Sequence, residues 1–243
     1  MRVTTLIENN ALEERDDLQP EFGLSLCVEL NGTKILFDTG TSGAFAANAE
    51  KMGVEISEVD VAVLSHQHFE HGGGLDRFFK VNDRAPVFMR EAPLSRRYFK
   101  AFAVIKRPIG IDLDLVNRFS DRIEFVDGIR VIAPGVHLLT QIGSVHPKTM
   151  GNRHLFEESG GALVLDAFTH ELVMVIHEDD GMVVFTGCSH SGILNLIDAA
   201  RAQFPRMRVK AVFGGFHLIG LPFFNSMAVP ASEVRKIGWQ VME

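Results

Sequence analysis

The stretch Leu64-Ser65-His66-Gln67-His68-Phe69-Glu70-His71-Gly72-Gly73-Gly74 is the part of this chain from which the fold is best predicted. It holds three imidazoles and one carboxylate within six positions, directly after an apolar run over residues 59–64. Such side chains are ligands for zinc, iron or manganese, and two histidines spaced two apart in an extended loop point the same way. A solvated histidine-rich loop is the alternative, but it does not explain the buried strand before the cluster or the glycines after it. The stretch therefore predicts a metal centre built around His66, His68 and His71, with Glu70 beside them.

The hydrophobic content, net charge and cysteine content of the chain indicate which classes of protein and partner are expected. The chain has 243 residues, 46% of them hydrophobic, which is enough for one domain over residues 1–243. Its formal net charge of −7 argues against nucleic acid or an anionic membrane as partner and favours a small-molecule substrate. The two cysteines, Cys27 and Cys188, make a poor disulfide framework and favour the cytoplasm. The sequence begins without a secretory pattern and has no apolar run near the roughly 18 residues of a membrane helix.

Hydrophobic patterning predicts an α/β protein with two sheets. The Asn31-Gly32 turn predicts a β-hairpin. First-sheet strands are predicted over residues 1–7, 24–30, 34–37, 59–64 and 86–89, and second-sheet strands over residues 123–125, 129–132, 136–140, 162–165, 171–177 and 182–185. A further strand is predicted over residues 209–213, and helices over residues 44–52, 75–80 and 193–202.

Residues 90–120 are predicted to be a lid insertion made of helical pieces. The segment is basic and aromatic, and Pro93 and Pro108 interrupt it. Its arginines and lysines either engage a substrate phosphate or form a solvated helical face, and the solvated face is favoured.

Other polar side chains follow predicted strands. Asp38 ends one strand, Cys188 and His190 follow another, and His217 follows a third, while His170 precedes the strand over residues 171–177. Three of them have a plainer interpretation: a turn-capping Asp38, an inert buried Cys188 and an ordinary surface His170. Loops that carry histidine or cysteine in both halves predict two sheets whose loop ends meet at one edge, where a metal site forms.

These motifs together resemble the metallo-β-lactamase superfamily, whose signature is His-x-His-x-Asp-His. The resemblance implies a four-layer αββα sandwich, with two mixed sheets and helices outside, and one or two divalent metal ions, zinc before manganese or iron. It implies a hydrogen bond from Asp38 to the metal-binding loop. The metal ligands that it implies are His66, His68, Glu70, His71, His170, Cys188 and His217. Glu70 departs from the family, which has Asp there, and Cys188 stands at the position of a bridging Asp.

Longer motifs resemble one branch of that superfamily. Residues 21–25, 36–40, 64–66, 186–195 and 214–218 are similar to the branch named for dihydropterin-6-methyl-(ribofuranosyl)aminobenzene 5′-phosphate synthase, and the resemblance covers residues 6–218. The branch implies transfer between a pterin pyrophosphate and an aminobenzene ribosyl phosphate, although many members are described only as metal-dependent hydrolases. It also carries a His-Cys-Thr-Gly segment on a closing strand. This sequence has none, so we expect that strand region to be missing.

Three functions follow as hypotheses. The first is a metal-dependent transferase on a phosphate- or pyrophosphate-containing molecule, the second a generic hydrolase of phosphodiesters or lactones, and the third a non-catalytic metal-binding protein. In the two enzymes, catalytic roles are expected for Glu70, Asp38 and His190. Substrate contacts are expected for Ser189 and Phe216, and Phe216, Phe223 and Phe224 are candidates to line an apolar pocket for a flat ring.

Overall fold

The computed structural model describes residues 1–102, 104–221, 226–227 and 230–242. The chain folds as two compact units: Met1–Leu94 with Ile109–Val126, and Ser95–Pro108 with Asp127–Glu243. The single domain expected from the length stays a prediction. Within the described part of the chain, no helix is both long and apolar enough to cross a membrane.

The first unit is built on a six-stranded mixed sheet with the order β1-β2-β3-β4-β5-β8. Its strands are β1 (Arg2–Ile7), β2 (Ser25–Leu30), β3 (Thr33–Phe37), β4 (Val61–Leu64), β5 (Val87–Arg90) and β8 (Ile123–Val126). Its helices are α1 (Ala44–Lys51), α2 (Phe69–Gly72), α3 (Leu75–Val81) and α4 (Leu113–Arg118). The first three strands are antiparallel, and β3, β4, β5 and β8 run parallel.

Local sequence explains two features of this sheet. Asn31 and Gly32 both have positive φ, 50° and 83°, which the tight turn between β2 and β3 requires. All four residues of β4 are buried, because the strand lies between β3 and β5 in the parallel part of the sheet. The carboxyl end of β4 delivers Ser65 and the histidine cluster.

The second unit has a five-stranded mixed sheet, a four-stranded antiparallel sheet and a two-stranded ribbon. The five-stranded order is β15-β14-β13-β10-β9, from β9 (Ile129–Ala133), β10 (Val136–Leu139), β13 (Val173–Glu178), β14 (Gly181–Phe185) and β15 (Val209–Phe213). The four-stranded order is β12-β11-β6-β7, from β6 (Arg97–Ala101), β7 (Ile105–Pro108), β11 (Leu155–Ser159) and β12 (Ala162–Leu165). The ribbon pairs β16 (Ile219–Leu221) with β17 (Ser226–Met227), and the helices are α5 (Ile193–Gln203) and α6 (Ala231–Met242).

The lid expected from helical pieces in residues 90–120 is largely a β-hairpin. β6 and β7 pair antiparallel, and among the described residues of this segment only α4 is helical apart from a 3-10 turn that begins at Ser120. Two of the basic residues lie over aromatic rings: the Lys106 ammonium is 3.9 Å from the Tyr98 ring centre, and the Lys100 ammonium is 4.9 Å from that of Phe156. The helical interpretation failed because the alternation of buried and half-buried residues along β6 is hidden by long basic side chains.

Two predicted strands belong to other sheets than expected. β8, which covers the strand predicted at residues 123–125, pairs with β5 in the first unit, with Met89 opposite Phe125. β12, predicted over residues 162–165, pairs with β11 in the four-stranded sheet. The sequence pattern identifies a strand, but not its partner when the two are far apart in the chain. The sequence pattern did not identify β11 or α6.

Candidate metal centre

The histidine cluster of the first unit is buried and compact. The ring centre of His66 lies 4.7 Å from that of His68 and 4.3 Å from that of His71. His66, Glu70 and His71 each offer one ligand atom within 4.8 Å of the others. The structure therefore brings together the first-unit residues that the sequence singled out.

Backbone pairing holds the cluster in place. His68 forms an isolated antiparallel bridge with Gly110, and the Phe69 N–H donates to the Ile109 carbonyl at 2.9 Å. Glu70 and His71 then lie on α2, a single turn of helix. Because the chain is extended at His68 and then forms one helical turn, residues that are close in sequence place their side chains close together in space.

Asp38 connects the end of β3 to this loop. Its carboxylate accepts hydrogen bonds from the Ser65 N–H at 2.7 Å and the Ser65 hydroxyl at 2.8 Å. His71 Nδ1 lies 2.6 Å from the same carboxylate, and the Ser65 hydroxyl oxygen lies 2.9 Å from His66 Nδ1. Asp38 has φ of +59°, a left-handed conformation that costs free energy in a residue other than glycine. In this conformation the single buried carboxylate of Asp38 contacts both Ser65 and His71 and so orients them.

Glycines allow the backbone to approach the cluster closely. A Cβ on Gly23 would lie 2.0 Å from the Glu70 carbonyl oxygen, and one on Gly73 would lie 2.1 Å from the Thr41 carbonyl oxygen. The glycine triplet after the histidines is thus a packing requirement, which the sequence pattern alone did not reveal.

The environment of Glu70 fits a cation. The residue is 8% exposed, and Oε1 lies 3.5 Å from His68 Nδ1. Among the described residues, the buried Oε2 has no hydrogen-bond partner, which is costly for a carboxylate. Burial acts to raise the pKa of Glu70, but the hydrogen bond and charge of His68 and the charge of His71 lower it on balance. A buried, ionised oxygen beside imidazoles matches the donor set of a divalent metal.

A second group of candidate ligands lies in the second unit. Cys188, His190 and His217 each offer a ligand atom within 4.8 Å of the others. His190 is buried, whereas Cys188 and His217 are half-buried. Ser189 and His217 have φ of +57° and +44°, so the backbone is strained at one candidate ligand, His217, and at the residue between Cys188 and His190. This unit brings Cys188 and His217 together with His190, for which the sequence analysis predicts a catalytic role.

Glu171 positions His190 and was not singled out by the sequence pattern. It is fully buried, and its two oxygens accept the His190 N–H at 2.7 Å and the Ser191 N–H at 2.8 Å. Its only signal in the sequence was an acidic residue at the start of an otherwise apolar strand.

His170 contacts a buried carboxylate that the sequence analysis also missed. His170 Nε2 lies 3.2 Å from an Asp166 oxygen, and Arg97 Nε lies 3.2 Å from the same oxygen. The guanidinium of Arg97 is 1% exposed, and its second carboxylate, Glu157, is 3.6 Å away. A carboxylate that orients an imidazole is a common support for a metal ligand.

The two residues expected to contact substrate differ in environment. Ser189 is buried, and its hydroxyl donates to the Gly215 carbonyl at 2.6 Å, so the hydroxyl is engaged in holding the loop. Phe216 is half-buried and lines a cavity. Phe223 and Phe224 lie outside the described residues.

Comparison with known proteins agrees with this arrangement of motifs. The family model of the metallo-β-lactamase superfamily matches residues 18–190. The chain belongs to the metallo-β-lactamase superfamily. The α/β fold expected from the motifs is therefore confirmed, and the superfamily suggests an enzyme.

Three similar proteins refine the placement within the superfamily. The chain is 29% identical over 215 residues to the 7,8-dihydropterin-6-methyl-4-(β-D-ribofuranosyl)-aminobenzene-5′-phosphate synthase of Methanocaldococcus jannaschii, covering 82% of this chain and 71% of that protein. It is 24% identical over 223 residues to an uncharacterized protein of the same organism, covering 90% and 80%. A solved metal-dependent hydrolase of the β-lactamase superfamily aligns with a TM-score of 0.77 and 28% identity, over 98% of this chain and 82% of that one. The resemblance to the synthase branch is confirmed.

Proposed function

We propose that this protein is a metal-dependent enzyme that acts on a small molecule carrying a phosphate or pyrophosphate, by a pterin-type transfer. The observation that carries the proposal is the buried cluster in which Asp38 orients Ser65 and His71 beside the Glu70 carboxylate. Replacing buried charged groups with well-packed apolar residues is often neutral or stabilising, so a contribution to stability does not account for a cluster of this chemistry.

One or two divalent ions, zinc before manganese or iron, would be held by imidazole, carboxylate and thiolate groups. The proposed ligands are His66, His68, Glu70 and His71 of the first unit, and His170, Cys188 and His217 of the second. The buried Glu70 oxygen without a hydrogen-bond partner among the described residues supports this assignment. When bound, such ions supply Lewis acidity to phosphoryl oxygens and to a pyrophosphate leaving group.

The protein's own residues would hold and orient the reacting groups. Asp38 keeps the His71 imidazole in one orientation through Nδ1. Glu70, with its lowered pKa, is ionised at neutral pH; Oε2 is the oxygen proposed to bind metal, and Oε1, 3.5 Å from His68 Nδ1, accepts the proton from the attacking group. In the second unit, Glu171 accepts the His190 N–H and so holds the residue for which a substrate contact is proposed.

Similarity to the synthase named above supports the pterin-type substrate. The low cysteine content, Cys27 and Cys188 in 243 residues, supports the cytoplasmic location proposed from composition.

The direct test supplies the zinc- or manganese-loaded protein with a dihydropterin-6-methyl pyrophosphate and an aminobenzene ribosyl 5′-phosphate, and measures pyrophosphate release and the coupled product. We expect one pyrophosphate per product. Glu70→Gln is expected to lower the rate by about 100-fold or more, whereas Glu50→Gln, an exposed change on α1, leaves it unchanged. Absence of coupled product with both metals would contradict the transfer.

Hydrolysis is the second candidate, favoured by the likeness to the metal-dependent hydrolase with a TM-score of 0.77. Metal-dependent cleavage of bis-p-nitrophenyl phosphate without any coupled product would select it. Full metal occupancy with no turnover of either substrate would instead select the non-catalytic metal-binding protein.

A further inference from the structure

A cavity of about 450 Å³ lies within the second unit, lined in part by His217 and Phe216. We propose that it binds the phosphate-bearing aromatic portion of the substrate, with Lys148 and Lys236 against the phosphate and Phe216 against the ring. The inference rests on the proposed function, because it assigns part of that substrate to named residues. The volume of the cavity lies in the range of about 300–1,000 Å³ that is usual for small-molecule sites.

The charges that line the cavity favour an anion. The whole chain carries a formal charge of −7, yet Lys148 and Lys236 both line the cavity, and Glu233 is the acidic residue among its described lining side chains. His146 also lines it, but its Nε2 lies 2.9 Å from Asp198, which offsets any charge it takes up. The local excess of positive charge therefore comes from the two lysines.

The two lysines are suited to a phosphate. Lys148 donates to the Ala167 carbonyl at 3.0 Å, which fixes the ammonium while two further N–H donors remain on it. Lys236 lies on α6 and is exposed at the cavity. An ammonium on each of two segments can clamp one phosphate by charge-assisted hydrogen bonds.

Apolar side chains supply the rest of the lining. Phe216, Ile193, Leu218 and Ile237 offer an apolar surface of the kind that a flat ring contacts. A purely inorganic anion would not use this surface, so the geometry favours an aryl phosphate over free phosphate.

The cavity adjoins candidate metal ligands of the same unit. His217 lines it, and the ligand atom of His217 lies within 4.8 Å of those of Cys188 and His190. A ligand held by the two lysines would thus extend toward residues proposed to bind metal.

The test is isothermal titration of the full chain with phenyl phosphate, inorganic phosphate and phenol, after removal of metal with a chelator. We expect phenyl phosphate to bind more tightly than either fragment. Lys148→Gln and Lys236→Gln should each weaken it by about 10-fold, the usual worth of a charge-assisted hydrogen bond. Phe216→Ala should reduce the preference for phenyl phosphate over inorganic phosphate. Lys80→Gln, an exposed lysine of α3 paired with Asp76, is the matched control and should change nothing.

The same titration on His68→Ala separates this inference from the proposed function. Unchanged phenyl phosphate binding in that variant, with loss in the lysine variants, supports the cavity even if catalytic assays fail. If the lysine variants bind as wild type does, or if the metal-free protein binds no phenyl phosphate, the cavity assignment is overturned while the proposed function stands.

Discussion

His71 Nδ1 and the Asp38 carboxylate lie 2.6 Å apart in the buried interior of the first unit, and the same carboxylate accepts hydrogen bonds from the N–H and the hydroxyl of Ser65. A carboxylate that accepts the Nδ1 proton of an imidazole directs Nε2 away from itself, toward a metal ion. This contact joins the end of β3 to the histidine loop after β4.

Asp38→Asn should therefore weaken metal binding without unfolding the protein. The expected loss is about 10–100-fold in affinity, the usual effect of removing such a support. Competition with a chromophoric chelator measures it, with circular dichroism to check the fold. Asp76→Asn, an exposed carboxylate of α3, serves as control. Equal affinity in wild type and Asp38→Asn would show that the contact does not orient a ligand.

Gly23→Ala should destabilise the first unit. The added Cβ would lie 2.0 Å from the Glu70 carbonyl oxygen at a φ of +137°, so the backbone must move. Overpacking of this kind costs about 1–3 kcal/mol, and strain adds to it. Denaturant unfolding measures the change. Gly32→Ala is the matched control, because Gly32 also has positive φ but has open space around it. A loss no larger at Gly23 than at Gly32 would contradict the close approach.

Glu171→Gln should destabilise the second unit and disturb His190. One carboxylate oxygen becomes an amide that faces a backbone N–H, and an unsatisfied buried donor costs about 1–3 kcal/mol. Glu178→Gln, which removes a partly exposed ion pair with Lys210, should cost less than about 1 kcal/mol. Chemical denaturation compares the two. A similar small loss in both variants would show that Glu171 does not hold the loop.

Stability should fall in mild acid because of the stacked His137 and His177, whose ring centres lie 4.3 Å apart against Phe204. Burial lowers the pKa of both, and the charge of His137 lowers the pKa of His177 further. The unfolded chain binds more protons below its histidine pKa of about 6.5, so stability is full above that pH and is lost as the pH falls toward the folded values. His137→Phe should flatten the dependence between about pH 7 and pH 5 in denaturant unfolding. Parallel curves for the two proteins would contradict this.

The part of the site that could be predicted from the sequence is local in the chain. The histidine loop was recognisable because ligands two or three residues apart follow an apolar strand, and Asp38 because it ends another strand. Asp166 and Glu171 were missed because a single acid has no spacing pattern, and only the tertiary fold shows that one contacts His170 and the other holds His190.

In the fold, too, features set by neighbouring residues could be predicted, whereas pairings between residues far apart in the chain could not. The Asn31-Gly32 hairpin was predictable from two residues. The pairing of β8 with β5 depends on contacts such as Met89 with Phe125, which no local pattern encodes.

The most direct test of the central claim is the metal content of the purified protein by inductively coupled plasma mass spectrometry, for wild type, His66→Ala and His68→Ala. His154→Ala is the control, since His154 lies against the Lys100 carbonyl in the second unit. The account predicts one or two tightly bound divalent ions in wild type and in the control, with loss of metal in both cluster variants that circular dichroism shows to be folded. Full metal content and unchanged affinity in His66→Ala would contradict a metal centre built on this cluster.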